Sequence, residues 1–480
     1  MAKAVNLVRG LVLLNGFPHE HPHVAEDLCL STSYFGTYGS QSIFIPHASC
    51  YTERGLTLPE LGAVGLTPCL PPDELIWVEE AAVDDTLLPG PWPVIMGITD
   101  YLDRGLGQSP SLVEYDESSQ QRLATANPRK SLYTLLHLSA RSALLALPPN
   151  AAHHLSSILP SNWRIYALPR EPLPLLPVPK AAVERVKSIL DTLRFDPLVA
   201  RIVESISVPQ IKNDVRWLSG EDPLSPIVSR HSFSEGALLA AEWLKEQYEA
   251  TGATCELKPF LQGFAPNVIC RYSSTVNTTA TVLISGHYDS RGSFGSPRAP
   301  GADDDASGST GVLSIARTIS ALGITFRSNV ELVAFAGEEQ GLYGSRFYAK
   351  DLRDENKNLT LMIQADMTAY HAPGEPMQLG MPEFIGTPEV TQLVANISAI
   401  YSPELKVGFS PACCSDHQSF HQQGFPATHV FERAGPIADP MYHNSGDLSD
   451  RAGYDFDQLK SIAKFATLLH AAGFDLPSDA

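Results

Sequence analysis

Acidic side chains and histidines follow several apolar segments in the second half of the chain. Three segments, each typical of a buried β-strand, lead into such side chains: ATVLISG into His287 and Asp289, VELVAFA into Glu338 and Glu339, and LTLMIQA into Asp366. Because Asp289 lies two residues beyond His287 in extended chain, Asp289 is placed to hold the second imidazole nitrogen. Of two adjacent glutamates, one can bind a cation and the other can transfer a proton.

Two polar loops carry further side chains of the same kinds. The segment GADDDASG has three consecutive aspartates, including Asp304, at the entrance to a predicted helix. Adjacent carboxylates repel one another unless solvent or a cation compensates their charge. The segment MYHNSGD contributes His443, with Asp447 nearby as an outer or capping residue. Each motif alone is typical of a solvated turn or loop, and only their joint occurrence indicates a shared site.

Together these side chains predict a metal centre with two ions. The candidate ligands are oxygen and imidazole donors without cysteine, a set that suits zinc, manganese or cobalt: His287, Asp304, Glu339, Asp366 and His443. Three carboxylates against two divalent ions leave a net charge of about +1, which a hydroxide can neutralise.

Strands and helices alternate in the part of the chain that carries these residues. Apolar residues at helical spacing begin at Val183, and Ser234 is a good N-cap for a second helix. The β-rich segments CELKPF, NVICRY and ATVLISG follow, and ASGSTGVLSIARTISAL then predicts a helix between two strands. This alternation predicts an α/β domain with a largely parallel inner sheet, in which ligands gather beyond the carboxyl ends of the strands.

The first third of the chain carries no motif with a recognisable mechanism. Residues 168–179, LPREPLPLLPVP, contain five prolines and predict an extended connector. We therefore divide the chain into an N-terminal region (1–170), a Pro-rich linker (171–179) and a second domain (180–480). Within the N-terminal region, residues 131–147 predict a helix. The region is either a pro-region that covers the cleft until it is removed or a permanent accessory domain.

Composition excludes several classes of partner. The formal net charge of −19 and pI near 5.2 repel phosphate backbones and anionic lipid, so we expect no nucleic-acid partner. No apolar stretch approaches the roughly 18 residues that a membrane span needs, and we expect no membrane association. We expect a monomer. Sequons at Asn277, Asn358 and Asn396 slightly favour the secretory pathway over the cytoplasm.

The seven cysteines are too few for a disulfide scaffold at this length. Cys255 and Cys270 lie in segments that could be neighbouring strands, so a disulfide could join them. Buried free thiols are the interpretation that we favour for this pair.

The motifs SGHYDS, GADDDASG, AFAGEEQGLYGS, QADM, CSDHQSFHQQGFPA and YHNSGD resemble, in order and spacing, those of the M28 family of zinc peptidases. That family includes bacterial and fungal leucine aminopeptidases. The resemblance covers roughly residues 180–480. It implies a three-layer α/β zinc-exopeptidase domain with a mixed, mainly parallel sheet of about eight strands, preceded here by an N-terminal region of unknown fold.

The resemblance also implies roles for the residues that match the family's motifs. Asp304 would bridge two zinc ions, one of which would add His287 and Asp366, and the other Glu339 and His443. Glu338 would be the general base, which takes a proton from the bridging water and returns it to the leaving amine, and Asp289 would orient His287. The implied activity is aminopeptidase action on peptides.

The sequence departs from the family's pattern at two places. Relatives often carry a spaced cysteine pair before the SDH block, whereas this chain has the adjacent Cys413 and Cys414, so a disulfide of the usual kind is not expected. Relatives also line the substrate pocket with several aromatic residues. Here the candidate pocket residues are Met367, Phe431 and Tyr442, which weakens the expectation of a leucine preference.

Two other classes of function stay open. A carboxypeptidase or a glutaminyl-cyclase-like enzyme would use the same fold, and a carboxypeptidase would need a cation for the substrate carboxylate. Arg291, Arg298 and Arg346 are the candidates for that cation. A non-catalytic binding protein on a peptidase scaffold is the alternative from another class, although such proteins have usually lost ligands that this chain keeps.

Overall fold

The described residues of the N-terminal region form two small antiparallel sheets in the computed structural model. The structure describes residues 9–15, 18, 24, 27–39, 41–47, 49–52, 64–66, 73–87, 101–103, 133–139, 141–293, 295–412, 414–463 and 465–477. The eight strands are β1 (Arg9–Asn15), β2 (Tyr34–Tyr38), β3 (Gln41–Phe44), β4 (Val64–Leu66), β5 (Glu74–Glu80), β6 (Thr134–Leu138), β7 (Ser142–Leu147) and β8 (Trp163–Ala167). Their orders are β2-β3-β1-β4 and β6-β7-β5-β8.

The helix predicted over 131–147 is wrong. Strands β6 and β7 occupy this segment and pair antiparallel with each other. Every residue of β7 is buried, because the strand lies between β6 and β5 in the second sheet. An apolar run that is buried on both faces has no alternation of period two, and such a run cannot be told from a buried helix by its pattern.

A six-stranded mixed sheet is the centre of the rest of the chain. Its strands are β9 (Thr254–Lys258), β10 (Asn267–Tyr272), β11 (Thr281–His287), β13 (Asn329–Phe335), β14 (Leu359–Ala365) and β17 (Ala427–Val430). The order is β17-β14-β11-β13-β10-β9. The first four are parallel, and β10 and β9 add antiparallel to β13 and to each other. The mixed, mainly parallel sheet is thereby confirmed.

Two further strands adjoin this sheet at one end. Strands β15 (Gln378–Pro382) and β16 (Lys406–Ser410) form a parallel pair. An antiparallel bridge between Gly380 and Phe431 joins this pair to the chain just beyond β17. The central sheet therefore has six strands among the described residues, two fewer than the family resemblance implies, and the β15–β16 pair adjoins it as a separate sheet. A separate two-stranded sheet joins β12 (Thr325–Phe326) and β18 (Phe474–Asp475).

Helices cover the sheet, and the ends of several follow from their capping residues. The helices are α1 (Leu28–Ser31), α2 (Ser49–Thr52), α3 (Pro149–Ala152), α4 (Lys180–Thr192), α5 (Pro197–Glu204), α6 (Val208–Leu218), α7 (Glu235–Glu249), α8 (Ala306–Leu322), α9 (Tyr343–Asp354), α10 (Pro388–Tyr401), α11 (His417–Gln422), α12 (Phe456–Ile462) and α13 (Phe465–Ala472). Ser234 caps α7 by accepting from the Ala237 amide, as predicted. Gly323 ends α8 in a left-handed conformation that favours glycine.

The expectation of free thiols at Cys255 and Cys270 is wrong. The two residues are direct partners on the antiparallel strands β9 and β10, and a disulfide joins them. Residues directly opposite each other on antiparallel strands have Cβ atoms close enough for this bond. A second disulfide joins Cys29 and Cys50 in the N-terminal region.

The connector between the two parts contains neither helix nor strand over residues 168–179, in agreement with its prolines. Its Leu173 amide donates to the Tyr34 carbonyl, and the Leu168 amide donates to the Leu75 carbonyl, so the connector is held against both small sheets. The domain boundaries themselves stay a prediction. Among the residues that the structure describes, no helix is long and apolar enough to cross a membrane.

Candidate metal centre

The five candidate ligands lie together at the carboxyl ends of parallel strands and in two adjoining loops. They form two groups that share one carboxylate. We call His287, Asp304 and Asp366 the first triad, and Asp304, Glu339 and His443 the second triad; within each, the candidate ligand atoms lie within 4.8 Å of one another.

The shared carboxylate lies between the two histidines. Nε2 of His287 lies 3.2 Å from Oδ1 of Asp304, and Nε2 of His443 lies 3.3 Å from Oδ2 of the same residue. Each histidine also lies near a second carboxylate. His287 Nε2 is 3.7 Å from Asp366 Oδ1, and His443 Nε2 is 3.1 Å from Glu339 Oε2. A carboxylate with one oxygen directed to each triad can bridge two ions.

The donor atoms fit divalent cations. Nε2 of His287 and Oε1 of Glu339 are buried and have no hydrogen-bond partner of good geometry among the described residues. Buried polar atoms without partners are costly, and an ion bound between them would remove that cost. The imidazole and carboxylate set, without cysteine, suits zinc.

Burial and neighbouring opposite charges have opposing effects on the pKa values of the residues in this cluster. Burial lowers the pKa of His287, but the carboxylates of Asp289, Asp304 and Asp366 outweigh it, so the pKa lies well above its usual value. Burial raises the pKa of Asp366, but the hydrogen bond and charge of His287 outweigh burial and lower it. A cation that binds His287 would therefore have to compete with a proton for the imidazole nitrogen.

The three consecutive aspartates make different contacts. Asp304 faces both triads, whereas its neighbours tie together the chain segments around it. Oδ1 of Asp303 accepts from the Ala369 amide at 2.9 Å. Asp305 caps α8, and its Oδ2 accepts from the His287 amide at 3.0 Å. Since Asp305 Oδ1 also accepts from the Met367 amide, at 3.2 Å, one carboxylate joins the ends of β11 and β14 to the start of α8.

Two outer carboxylates hold the turns that carry the ligands. Asp447 accepts from the amides of Asp303 and Asp304 at 3.0 to 3.1 Å, which agrees with the outer position expected for it. Asp289 accepts from the amides of Glu338 and Glu339, both at 3.2 Å. Turns fixed in this way keep ligands in place without movement of the surrounding chain.

The contact of Asp289 with His287 differs from the one expected. Nδ1 of His287 lies 3.1 Å from the backbone carbonyl oxygen of Asp289, and 3.5 Å from the nearer carboxylate oxygen. The backbone carbonyl is therefore the nearer acceptor, and the carboxylate mainly supports the turn of the two glutamates.

Glu338 lies beside the two triads, and an arginine of the N-terminal region lies against it. Nη2 of Arg164, on β8, is 3.2 Å from Oε1 of Glu338. Burial raises the pKa of Glu338 well above its usual value, while the charges of His287 and Arg164 act in the opposite direction. A carboxyl group with a raised pKa at a metal centre is typical of a residue that transfers protons.

Sequence reasoning missed Arg164, because the contact joins residues that are 174 positions apart. Of the arginines that were singled out, Arg291 lies at the site, with its Nη1 2.8 Å from Nδ1 of His443. Arg346 instead donates to the carbonyl of Ala167. Arg298 contributes its backbone carbonyl to a hydrogen bond with Ser445.

The three candidate pocket residues lie together beside the metal centre. Met367, Phe431 and Tyr442 form one buried cluster with Ala81, Ala412 and Ile437. They line a cavity of about 10 Å³, which also has Arg164, Asp304, Asp366 and His429 in its wall. That volume is close to what one water molecule requires. The N-terminal region closes one side, since the Ile437 amide donates to the Ala82 carbonyl at 2.8 Å.

Comparison with known proteins agrees with this fold. Residues 267–467 match the sequence model described as Peptidase family M28. A probable leucine aminopeptidase of Arthroderma otae is 29% identical over 288 residues, which cover 57% of this chain and 74% of that protein. Leucine aminopeptidase 1 of Neurospora crassa is 29% identical over 262 residues, with coverage of 49% and 63%.

Two crystal structures from Legionella pneumophila have the same fold. The LapA aminopeptidase superposes with a TM-score of 0.55 at 17% identity, over 72% of this chain and 94% of that chain. LapB superposes with a TM-score of 0.58 at 18% identity, over 84% of this chain and 100% of that chain.

The fold and the two triads define a metallopeptidase-type α/β domain. Residues 267–467 match peptidase family M28, and the relatives of the chain include fungal leucine aminopeptidases.

Proposed function

We propose that the protein is a dinuclear zinc aminopeptidase that removes the N-terminal residue from peptides. The observation that carries this proposal is the pair of triads that share Asp304, with Glu338 beside them. The first triad would hold one zinc ion and the second triad the other. Bound zinc would supply a water of lowered pKa and would polarise the scissile carbonyl.

The chain's own residues would perform the remaining steps. Glu338 would accept a proton on a carboxylate oxygen and later give it to the leaving amine, for which its buried position beside Asp366 and Arg164 suits it. Asp289 and Asp447 would keep the ligand-bearing turns fixed. Met367, Phe431 and Tyr442 would contact the side chain of the first substrate residue once their cavity, which now has room for about one water molecule, has opened, and the weakened expectation of a leucine preference stays a prediction.

A substitution of the proposed base tests this function against a matched control. Glu338→Gln should keep two zinc ions per chain and lower the release of free amino acids about 100- to 10,000-fold. Glu331→Gln removes a carboxylate on the same sheet that is equally buried but binds Tyr348 and Lys357. This control should affect stability and leave turnover per folded molecule unchanged.

Metal analysis with a panel of unblocked aminoacyl substrates decides the proposal itself. If the wild type binds two zinc ions and releases no amino acid from any unblocked substrate, it is not an aminopeptidase. If Glu338→Gln keeps full turnover, another group is the base.

Arg164 favours one second candidate, an enzyme that receives a substrate carboxylate. Its guanidinium lies in the wall of the cavity, next to Glu338. A carboxypeptidase would cleave peptides with a blocked N-terminus, whereas an aminopeptidase would cleave only those with a free amine. A glutaminyl-cyclase-like enzyme would instead release ammonia from N-terminal glutamine.

The disulfides Cys29–Cys50 and Cys255–Cys270 support a location in the secretory pathway, because such bonds form in oxidising compartments. Non-reducing mass spectrometry of the protein from its natural source would test this assignment.

A further inference from the structure

Strand β16 is an edge strand, and β15 is its partner on one side. The Lys406 amide donates to the Met377 carbonyl, which begins a parallel ladder in which every second residue of β16 bonds to β15. The N–H and C=O groups of Val407 and Phe409 therefore face the other side. No main-chain hydrogen bond joins either residue to any other residue that the structure describes.

An apolar groove with a volume of about 860 Å³ lies beside this edge. Val407 and Phe409 line it on one side, and residues 174–178 of the connector line it on another. Phe409 is 61% exposed. The volume falls within the range of about 300 to 1,000 Å³ that is usual for ligand pockets, so the groove has room for several apolar side chains.

The connector is a poor partner for the free edge, although it lies across the groove. A strand that joins β16 needs N–H groups on every second residue. Pro174 and Pro177 have no N–H group, and they fall on opposite sides of an alternating pattern. Either face that the connector could present therefore lacks a donor, which leaves the edge available to another chain.

The groove also carries negative charge. Glu383 and Glu389 are among its lining residues, and no lysine or arginine is found among those that the structure describes. Glu389 lies 3.8 Å from Nζ of Lys187. Glu383 is exposed and forms no ion pair with a described residue. An exposed carboxylate beside an apolar groove favours a partner with a basic residue at that position.

We propose that β16 and the groove form a docking site for an extended peptide segment. The segment pairs with the main chains of Val407 and Phe409, places apolar side chains from alternate positions in the groove, and brings a basic residue to Glu383. The free N–H and C=O groups select a peptide over a lipid tail, which could not bond to them. None of the five candidate metal ligands lines the groove, so this docking site is distinct from the metal centre.

A blocked peptide, acetyl-KVTVTVK-amide with a fluorescent label, tests the proposal on the full chain by anisotropy. Its acetyl group protects it from the proposed aminopeptidase activity. We expect it to bind more tightly than acetyl-EVTVTVE-amide, because the groove is acidic. The same peptide with N-methyl groups on its three valines keeps the apolar side chains but loses the donors, and it should not bind. Absence of binding by the first peptide, or equal binding by the N-methylated or acidic peptide, would refute the proposal.

Two substitutions separate strand pairing from the apolar contact. Val407→Pro removes one outward N–H, which an edge strand tolerates, and it should weaken peptide binding about 2- to 10-fold. Phe409→Ala removes the exposed ring and should weaken binding about 10-fold. Phe195→Ala is the matched control, because Phe195 is 58% exposed but stacks on Tyr401 outside the groove. Binding that is unchanged in both groove variants would contradict the proposal.

Hydrogen exchange of the wild type gives a measurement that does not depend on how the variants fold. Bound peptide should slow exchange at the amides of Val407 and Phe409, and unchanged exchange there would contradict strand pairing. Gel filtration over a range of concentrations tests a second copy of the chain as the occupant. A dimer that Phe409→Ala dissociates would assign the edge to that second copy and overturn the proposal.

Discussion

The turn that carries Glu338 and Glu339 depends on one carboxylate, and Asp289→Asn tests that dependence. The two amide-to-carboxylate bonds measure 3.2 Å each, and Asp289 is fully buried. Each such bond to a charged group contributes about 1.5 to 3 kcal/mol. Asparagine keeps one acceptor oxygen and turns an NH₂ group towards the other amide, so we expect the free energy of unfolding to fall by about 2 to 4 kcal/mol.

The backbone carbonyl of residue 289, which is the nearer acceptor for His287 Nδ1, remains in this variant. Asp289→Asn should therefore weaken zinc binding about 10- to 100-fold at the second triad, through Glu339, and lower turnover through Glu338. Urea unfolding of the zinc-free protein and chelator competition measure the two effects.

Asp214→Asn is the control for Asp289→Asn. Asp214 is 3% exposed, and its carboxylate binds Arg317 away from the metal centre. The Asp214→Asn variant should have a lower free energy of unfolding, while the ratio of the zinc affinities of the two triads stays unchanged. Unchanged stability of the zinc-free Asp289→Asn protein would contradict this role of the carboxylate. Loss of affinity at the first triad alone would also contradict it, because the carboxylate would then act on His287.

Three further predictions concern the connector, the disulfide and pH. A protease site inserted after Glu171, which is exposed, should give a nicked protein that keeps its N-terminal fragment on gel filtration, because Arg164 binds Glu338 across the cut; release of the fragment would contradict a stable contact between the two parts. Replacement of Cys255 and Cys270 by alanine should lower the free energy of unfolding by up to about 3 kcal/mol, given their separation of 15 residues, as measured by urea unfolding under non-reducing conditions. Burial lowers the pKa of His231 to about 4, so the unfolded chain binds the proton more readily and stability falls as pH drops from about 6.5 towards 4. His231→Gln should flatten that dependence, and an unchanged slope would assign it to other groups.

The sequence was sufficient for the elements that follow local rules. Strands β11, β13 and β14 are buried apolar runs, and the candidate ligands follow them because the carboxyl ends of parallel strands meet at one edge of a sheet. Residues Ser234 and Asp305 cap their helices through their own side chains. These features depend on a few consecutive residues, which a single sequence displays.

The contacts across the chain could not be predicted in this way. The approach of Arg164 to Glu338 depends on how a sheet of the N-terminal region packs against the peptidase domain. The segment around Arg164, WRIYA, is an ordinary strand sequence with no signal of its own. The same limitation explains the wrong helix at 131–147, since burial of β7 on both faces comes from neighbouring strands and not from the segment itself.

The contact between Ser161 and His443 joins residues 282 positions apart, which has a consequence for the order of events during synthesis. At about 5 to 20 residues per second, a ribosome needs roughly 15 to 55 seconds to travel that distance. The N-terminal sheets can form during this interval, but the second triad cannot. Zinc uptake at that triad would therefore report that the chain has been translated beyond His443.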